Sequence, residues 1–284
     1  MKKQTGKLKL VIVIGAVLSL ALTGCSKKKN AEVTIKLGTC GSLVEELFAP
    51  AKETLKSQGI NLEIVQFSDF VTPNRALNSG DIDLNAMQHR VFFANDCATN
   101  GYELTAIGNT YLIPMHFYSN KVSSVSEIKD GDKVAIPNDV TNGGRALKLL
   151  ADAGLIKIRD GADFSPTVGD IETYYVKIEI QQLAANLIAQ ALNDVTAAVI
   201  NGNYAVDFGI KPEDAILQDT TQIIPEYWCL IAAKTSDLKN KNKVELYDKL
   251  LKAFYTDETL KFFDRHGGSI IPVGWDEDLF SQYK

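Results

Sequence analysis

Glu103-Leu104-Thr105-Ala106-Ile107-Gly108-Asn109-Thr110-Tyr111-Leu112-Ile113-Pro114-Met115-His116-Phe117-Tyr118 decides the architecture of this 284-residue chain. The run is apolar and β-like, is interrupted by Pro114, and is followed by no helical pattern. Everything before it keeps a different rhythm. Residues 33–38 alternate as a strand, with Val33, Ile35 and Leu37 opposed to Thr34 and Lys36. A helix follows, with Leu43, Leu47 and Ala51 on one face, ending near Gly59. Residues 61–67 read as a second strand, 73–79 as a short helix stopped by Gly80, and 81–87 as a third strand. A helix from His89 then ends at Asn100-Gly101. Successive strand–helix–strand units build a doubly wound sheet with ligands at the carboxyl ends of its strands. Where that rhythm stops, at 103–118, the chain is expected to leave one lobe and cross into another.

Beyond the crossing, a strand is predicted at 133–136, then a helix carrying Arg145, a long loop around 160–169 and a strand at 173–180. A helix at 182–192 and a strand at 196–200 follow. Residues 225–233 set Tyr227, Cys229 and Ile231 on one side and read as the strand crossing back. Helices at 243–255 and 257–265 finish against the first lobe. Two crossings between two lobes define the fold class: α/β, a two-lobed, periplasmic-binding-protein-like (type II, Venus-flytrap) fold with two crossing strands. The expected lobes are 33–115 with 229–284, and 116–228.

The first residues carry Lys2, Lys3, Lys7 and Lys9, followed by an apolar run over 10–22. That run is short for a bilayer span and suits the core of a signal peptide. It ends in Leu22-Thr23-Gly24-Cys25, which resembles the lipobox of bacterial lipoproteins. Residues 1–24 are therefore expected to be a lipoprotein signal peptide, Cys25 the lipidated residue and 25–32 a tether. The tether includes Lys27-Lys28-Lys29, read as a solvated spacer rather than a membrane-binding patch. The formal charge of −5 becomes more negative once the four leading lysines leave, and an acidic body argues against nucleic acid as a partner. With Cys25 assigned to lipid, Cys40, Cys97 and Cys229 form neither a disulfide framework nor a zinc knuckle.

The second lobe carries the most informative loop, Pro137-Asn138-Asp139-Val140-Thr141-Asn142-Gly143-Gly144-Arg145-Ala146-Leu147. It joins a β-like run to an amphipathic helix with Leu147, Leu150 and Ala151 on one face. Thr141 or Asn142 can cap that helix, whose unpaired N–H groups favour an anion. Arg145 falls in the predicted first turn, where a cation opposes the helix dipole. A bound carboxylate would resolve this by bidentate pairing with the guanidinium; an exposed Arg beside an Asp is the simpler alternative.

This loop resembles the signature of the NlpA family of methionine-binding lipoproteins, the substrate-binding subunits of an ABC amino-acid importer. The resemblance extends through Phe67-Ser68-Asp69-Phe70-Val71, Pro73-Asn74, Gln88-His89, Gly108-Asn109-Thr110-Tyr111 and Ala198-Val199-Ile200-Asn201-Gly202-Asn203-Tyr204. It implies Arg145 as a carboxylate clamp, with Asn142 in the same loop, and Asn201 as a partner of the ligand's amino-acid head. By the residues alone, Asn201-Gly202-Asn203 serves equally as a turn. The resemblance also implies an apolar wall of Phe70, His89, Phe92 and Tyr111, suited to a thioether because sulfur packs well against rings. Met115 and Phe117 are weaker candidates for that wall. By the residues alone, Phe92 and Phe93 serve equally as core, Phe93 the more so, and His89 reads as a helix-capping or core histidine.

Two features depart from the family pattern most clearly. Cys229 stands where an Asn that holds the ligand head is expected, and Val140 replaces a usual Pro. The first leaves L-methionine, D-methionine and a methionyl dipeptide open as ligands. No cofactor and no metal is expected, since His89, His116 and His266 lack metal-pair spacing and no nucleophile or phosphate-loop motif is present. The expected protein is thus not an enzyme. It is a lipid-anchored, extracytoplasmic receptor that delivers methionine, in the first place L-methionine, to the permease and ATPase of an ABC importer. A surface adhesin that has kept the fold, and a secreted hydrolase, are the rival classes.

Overall fold

A computed structural model describes residues 33–220 and 223–284. The signal-peptide, tether and Cys25 expectations lie outside the described residues.

The first sheet collects strands from both ends of the chain. β1 (Val33–Cys40), β2 (Ile60–Phe67) and β3 (Leu84–His89) are joined through α1 (Ser42–Leu47), α2 (Ala49–Ser57) and α3 (Thr72–Ser79). The order is β2-β1-β3-β13-β4, with β1 parallel to β2 and β3. α4 (Arg90–Asn100) leads to β4 (Leu104–Asn109). β13 (Cys229–Lys234), arriving from far along the chain, pairs antiparallel with both β3 and β4. Ile35, Leu37, Leu84, Ala86 and Ile231 are buried on this sheet against Leu47, Phe48 and Leu55. Tyr247, Leu250 and Phe254 of α8 (Lys241–Phe254) and Phe262 of α9 (Asp257–Arg265) complete the core.

The second sheet repeats the plan. β6 (Met115–Tyr118), β7 (Lys133–Pro137), β10 (Glu179–Leu183), β11 (Ala197–Asn201) and β12 (Ala215–Leu217) take the order β10-β7-β11-β6-β12. β7 is parallel to β10 and β11, whereas β6 runs antiparallel to β11 and β12. In each sheet the antiparallel insert, β13 in one and β6 in the other, follows directly on a segment from the other lobe. α5 (Val140–Asp152) covers one face, burying Ala146, Leu147 and Leu150 against Val134 and Ile136. α6 (Ile188–Ala191) and α7 (Gly202–Asp207) cover the other. Two small ladders complete the set: β8 (Ile156–Ile158) with β9 (Ile171–Tyr174), and β5 (Tyr111–Leu112) with β14 (Ile271–Pro272).

Several boundaries differ from the sequence expectation. The single helix expected after β1 is two, α1 and α2, with Pro50 in the first turn of the second, where its missing N–H costs nothing. The crossing stretch is three strands rather than one, broken around Asn109-Thr110 and Pro114. The third strand begins at Leu84 rather than at residue 81, because residues 81–83 complete the turn after α3. The strand expected over 173–180 divides into β9 and β10, and the helix expected over 182–192 shrinks to a 3₁₀ turn and the four residues of α6. Alternating burial in Gln181-Gln182-Leu183 pairs with β7, and that tertiary pairing overrides helical propensity. The return strand starts at Cys229, since Pro225–Tyr227 forms a 3₁₀ turn.

Candidate functional site

Arg145 is the centre of a buried cleft between the two sheets. α5 begins at Val140, so Arg145 is its sixth residue and lies in the second turn, not the first. The cap is Asp139 rather than Thr141 or Asn142: its carboxylate accepts the Asn142 backbone N–H at 2.8 Å. A carboxylate at the positive helix end gains from the dipole what a hydroxyl or amide does not. The Arg145 side chain is only 4% exposed. Its guanidinium lies 4.5 Å over the Tyr227 ring, and one terminal nitrogen is 3.5 Å from the Ile113 carbonyl and another contact reaches Asp219 Oδ2 at 3.9 Å. Burial pulls the guanidinium pKa down while Asp219 pushes it back up. Asp219 is itself buried, and its backbone N–H donates to His116 Nδ1 at 2.9 Å.

Two chains of hydrogen bonds fix which atoms face the cleft. Asn142 Nδ2 donates to both oxygens of Asp139 at 3.1 Å, because a carboxylate only accepts. Asn142 Oδ1 is thereby turned away from Asp139 and accepts Asn201 Nδ2 at 3.0 Å. Asn201 Oδ1 is left buried with no hydrogen-bond partner, an acceptor held for something else. On the other lobe His89 caps α4, its Nδ1 accepting the Phe92 N–H at 3.1 Å. A backbone N–H can only donate, so the proton of the neutral ring sits on Nε2. That nitrogen is buried and closes no hydrogen bond, although the Asn142 amide is near enough to influence the ring. Burial first, and then the charge of Arg145, lower the His89 pKa to about 3.

Phe70, His89, Phe92, Tyr111, Asn142, Arg145, Asn201 and Cys229, which the sequence scatters over 160 positions, all line this one cleft of about 440 Å³, counting space open to solvent. Phe92 is buried beside Cys40 and Met87, and Phe70 packs edge-on against it at 6.3 Å. The Tyr111 hydroxyl donates to the Ala86 carbonyl at 2.9 Å, leaving the ring as wall. Cys229 pairs in register with His89, and burial pushes its thiol up to about 12, so it stays a neutral, weakly polar surface. Gly202 follows Asn201 where a Cβ would collide with Ile113 and the Pro114 carbonyl at 2.4 and 2.7 Å. Glycine there lets the end of β11 press against the crossing segment that Arg145 also touches.

Met115 and Phe117 do not reach the cleft. Both are buried in the core of the second lobe, because Pro114 has ended the face they would share with Tyr111. Sequence reasoning did not name Cys40, Met87, Ile113 or Asn203 as lining residues, nor Tyr227 and Asp219 as the groups around Arg145. Cys40 ends β1 and Met87 lies two residues before the end of β3, and that nearness to the strand ends alone marked them. Nothing local distinguishes Asp219. Among the described residues no cluster of three or more His, Cys, Asp or Glu side chains could hold a metal ion, and no helix is long and apolar enough to cross a membrane.

Two α/β lobes joined by crossing segments, with a polar anchor and aromatic walls in the cleft between, define the architecture of a two-lobed substrate-binding protein. The chain belongs to the NlpA lipoprotein family, whose sequence profile matches residues 35–274. It is 36% identical over 276 residues to the D-methionine-binding lipoprotein MetQ of Escherichia coli K12, covering 95% of this chain and 99% of that one. It is also 36% identical to outer membrane lipoprotein 3 of Mannheimia haemolytica, over 92% of this chain and 96% of the relative. Among solved structures, it resembles a Burkholderia cenocepacia nutrient-binding protein bound to methionine, with a TM-score of 0.77 and 34% identity over 84% of this chain and all of that one. It likewise resembles the substrate-binding protein of a methionine transporter from Streptococcus pneumoniae, with a TM-score of 0.80 and 33% identity, covering 85% and 96%.

Proposed function

We propose that this protein captures methionine, in the first place L-methionine, between its lobes and hands it to the permease and ATPase of an ABC importer. In this reading the carboxylate pairs with Arg145, Asn201 Oδ1 accepts from the ammonium, and Phe70, Phe92 and Tyr111 enclose the thioether. The observation that carries it is the pairing of a buried guanidinium with a buried, unpartnered amide oxygen in one aromatic-walled cleft. A zwitterion supplies a carboxylate for the guanidinium, beside Asp219, and a donor for the amide oxygen. Residues 33–115 with 229–284, and 116–228, would move as the two lobes. Lipid on Cys25 would hold the protein at the extracytoplasmic face of the membrane, as the lipoprotein names of its relatives suggest. Mass spectrometry of ligand released from freshly purified, denatured protein tests the reading: methionine is expected, and an unrelated solute would replace it.

Cys229 supports a second reading. Its thiol lines the cleft where an amide would fill more space and make more hydrogen bonds, leaving room for a methionyl dipeptide or another longer ligand.

A further inference from the structure

We infer that the Nε2–H of His89 is a second hydrogen-bond donor to the ligand's carboxylate, beside Arg145, rather than part of the apolar wall. The inference rests on the reading that the cleft closes on an amino acid. Its first support is the forced tautomer: the Phe92 N–H occupies Nδ1 at 3.1 Å, so Nε2 carries the proton. The second is burial. Nε2 is shielded from solvent and closes no hydrogen bond, a donor costly to leave unmade. The nearby Asn142 oxygen accepts Asn201 Nδ2 at 3.0 Å; it influences the ring but closes no hydrogen bond with Nε2.

Position supplies the third support. The imidazole meets the Tyr227 ring edge-on at 5.4 Å, and the Arg145 guanidinium lies on the same ring at 4.5 Å. Tyr227 therefore brings both donors to one end of the cleft, where an anion would sit. Arg145, Tyr227 and Cys229 are the charged or titratable groups facing the imidazole, from α5, the 3₁₀ turn and β13. Beside Arg145 a second cation would be repelled, whereas a neutral ring offers its N–H without adding charge. The depressed basicity of His89 agrees with this. Arg145 then supplies charge, His89 a fixed direction, and Asn201 the acceptor for the ammonium.

The test is calorimetric titration of ligand-stripped protein with L-methionine, comparing wild type, His89→Gln and His89→Phe, with folding checked by melting. Gln places an amide N–H near the position of Nε2–H; Phe keeps the ring and loses the donor. His89→Phe is expected to weaken binding about tenfold or more, and His89→Gln to recover most of the loss. Nitrogen NMR of the histidine-labelled wild type should show a neutral ring protonated at Nε2 from about pH 5.5 to 8, its N–H resonance moving when methionine is added. Full affinity in His89→Phe, equal weakness in both variants, or a proton on Nδ1 would overturn the inference while leaving methionine binding by the wild type intact. A wild type that takes no methionine would overturn the reading of the cleft and this inference with it.

Discussion

Asp207 accepts two hydrogen bonds from Ser42, one from its backbone N–H at 2.9 Å and one from its hydroxyl at 2.6 Å. The pair ties the end of α7 in the second lobe to the start of α1 in the first. Asn186 reinforces the same rim by donating to the Ser68 carbonyl at 3.0 Å, with Tyr204 contributing a longer bond to that oxygen. These contacts join lobe to lobe without passing through a ligand, and so favour the closed form whether or not the cleft is filled. Asp207→Ala should speed methionine release by about three- to tenfold in stopped-flow measurements, with a smaller change in association. An unaltered release rate would show that the rim does not hold the lobes together.

Replacing Cys229 distinguishes the two ligand readings. If the thiol merely weakens a methionine site, Cys229→Asn should bind L-methionine more tightly, by about fivefold, through one added hydrogen bond. If the space serves a longer ligand, the Asn form should gain nothing for methionine and lose affinity for a methionyl dipeptide. Calorimetry with both ligands on both proteins separates the cases. Indifference to either ligand would remove Cys229 from the site.

Acid should destabilise the protein earlier than its carboxylates alone require. His89 is neutral when folded, with a pKa near 3, yet takes up a proton near its ordinary value when unfolded. Between those values the unfolded state binds more protons, so stability falls as pH drops from about 6.5 toward 3. His116, also lowered by burial, adds in the same direction. Melting temperatures of His89→Gln should decline less steeply over that range than those of the wild type. Parallel slopes would mean that His89 is not held neutral.

Phe93, next to Phe92 but turned about 100° around α4 and outside the cleft, supplies a control, half-buried with Leu77, Ile82 and Leu230. Phe93→Ala should lower stability by about 2 kcal/mol, read as a drop in melting temperature, and leave methionine affinity unchanged. For the anchor, Cys25→Ala should move the protein from the detergent phase to the soluble fraction. Retention in the membrane would argue for another form of attachment.

The two-lobed plan was legible because β-like runs, glycine stops and the break at Pro114 are local signals. So was part of the lining of the cleft, since motif-bearing loops fall at strand ends, where a doubly wound sheet gathers them. What stayed hidden depended on partners distant in sequence. Gln181 and Gln182 look helical until β7 pairs with them, and Asp139 rather than Thr141 is the cap because α5 begins at Val140, which places the Asp139 carboxylate on the Asn142 N–H. The family resemblance places His89 in the apolar wall, and the residue alone reads as a helix-capping or core histidine. Its role as a donor follows from the Phe92 N–H, which only the structure places on Nδ1.

Titration of ligand-stripped wild type and Arg145→Ala with L-methionine tests the central claim most directly. Arg145 is buried, so truncating it leaves the carboxylate without its charge partner, at a cost of roughly 2–5 kcal/mol, about 30-fold to several-thousand-fold in affinity. The account predicts one binding site in the wild type and a loss of that size in Arg145→Ala, with both proteins folded. No binding by the wild type, or less than about a threefold loss in the variant, would contradict it.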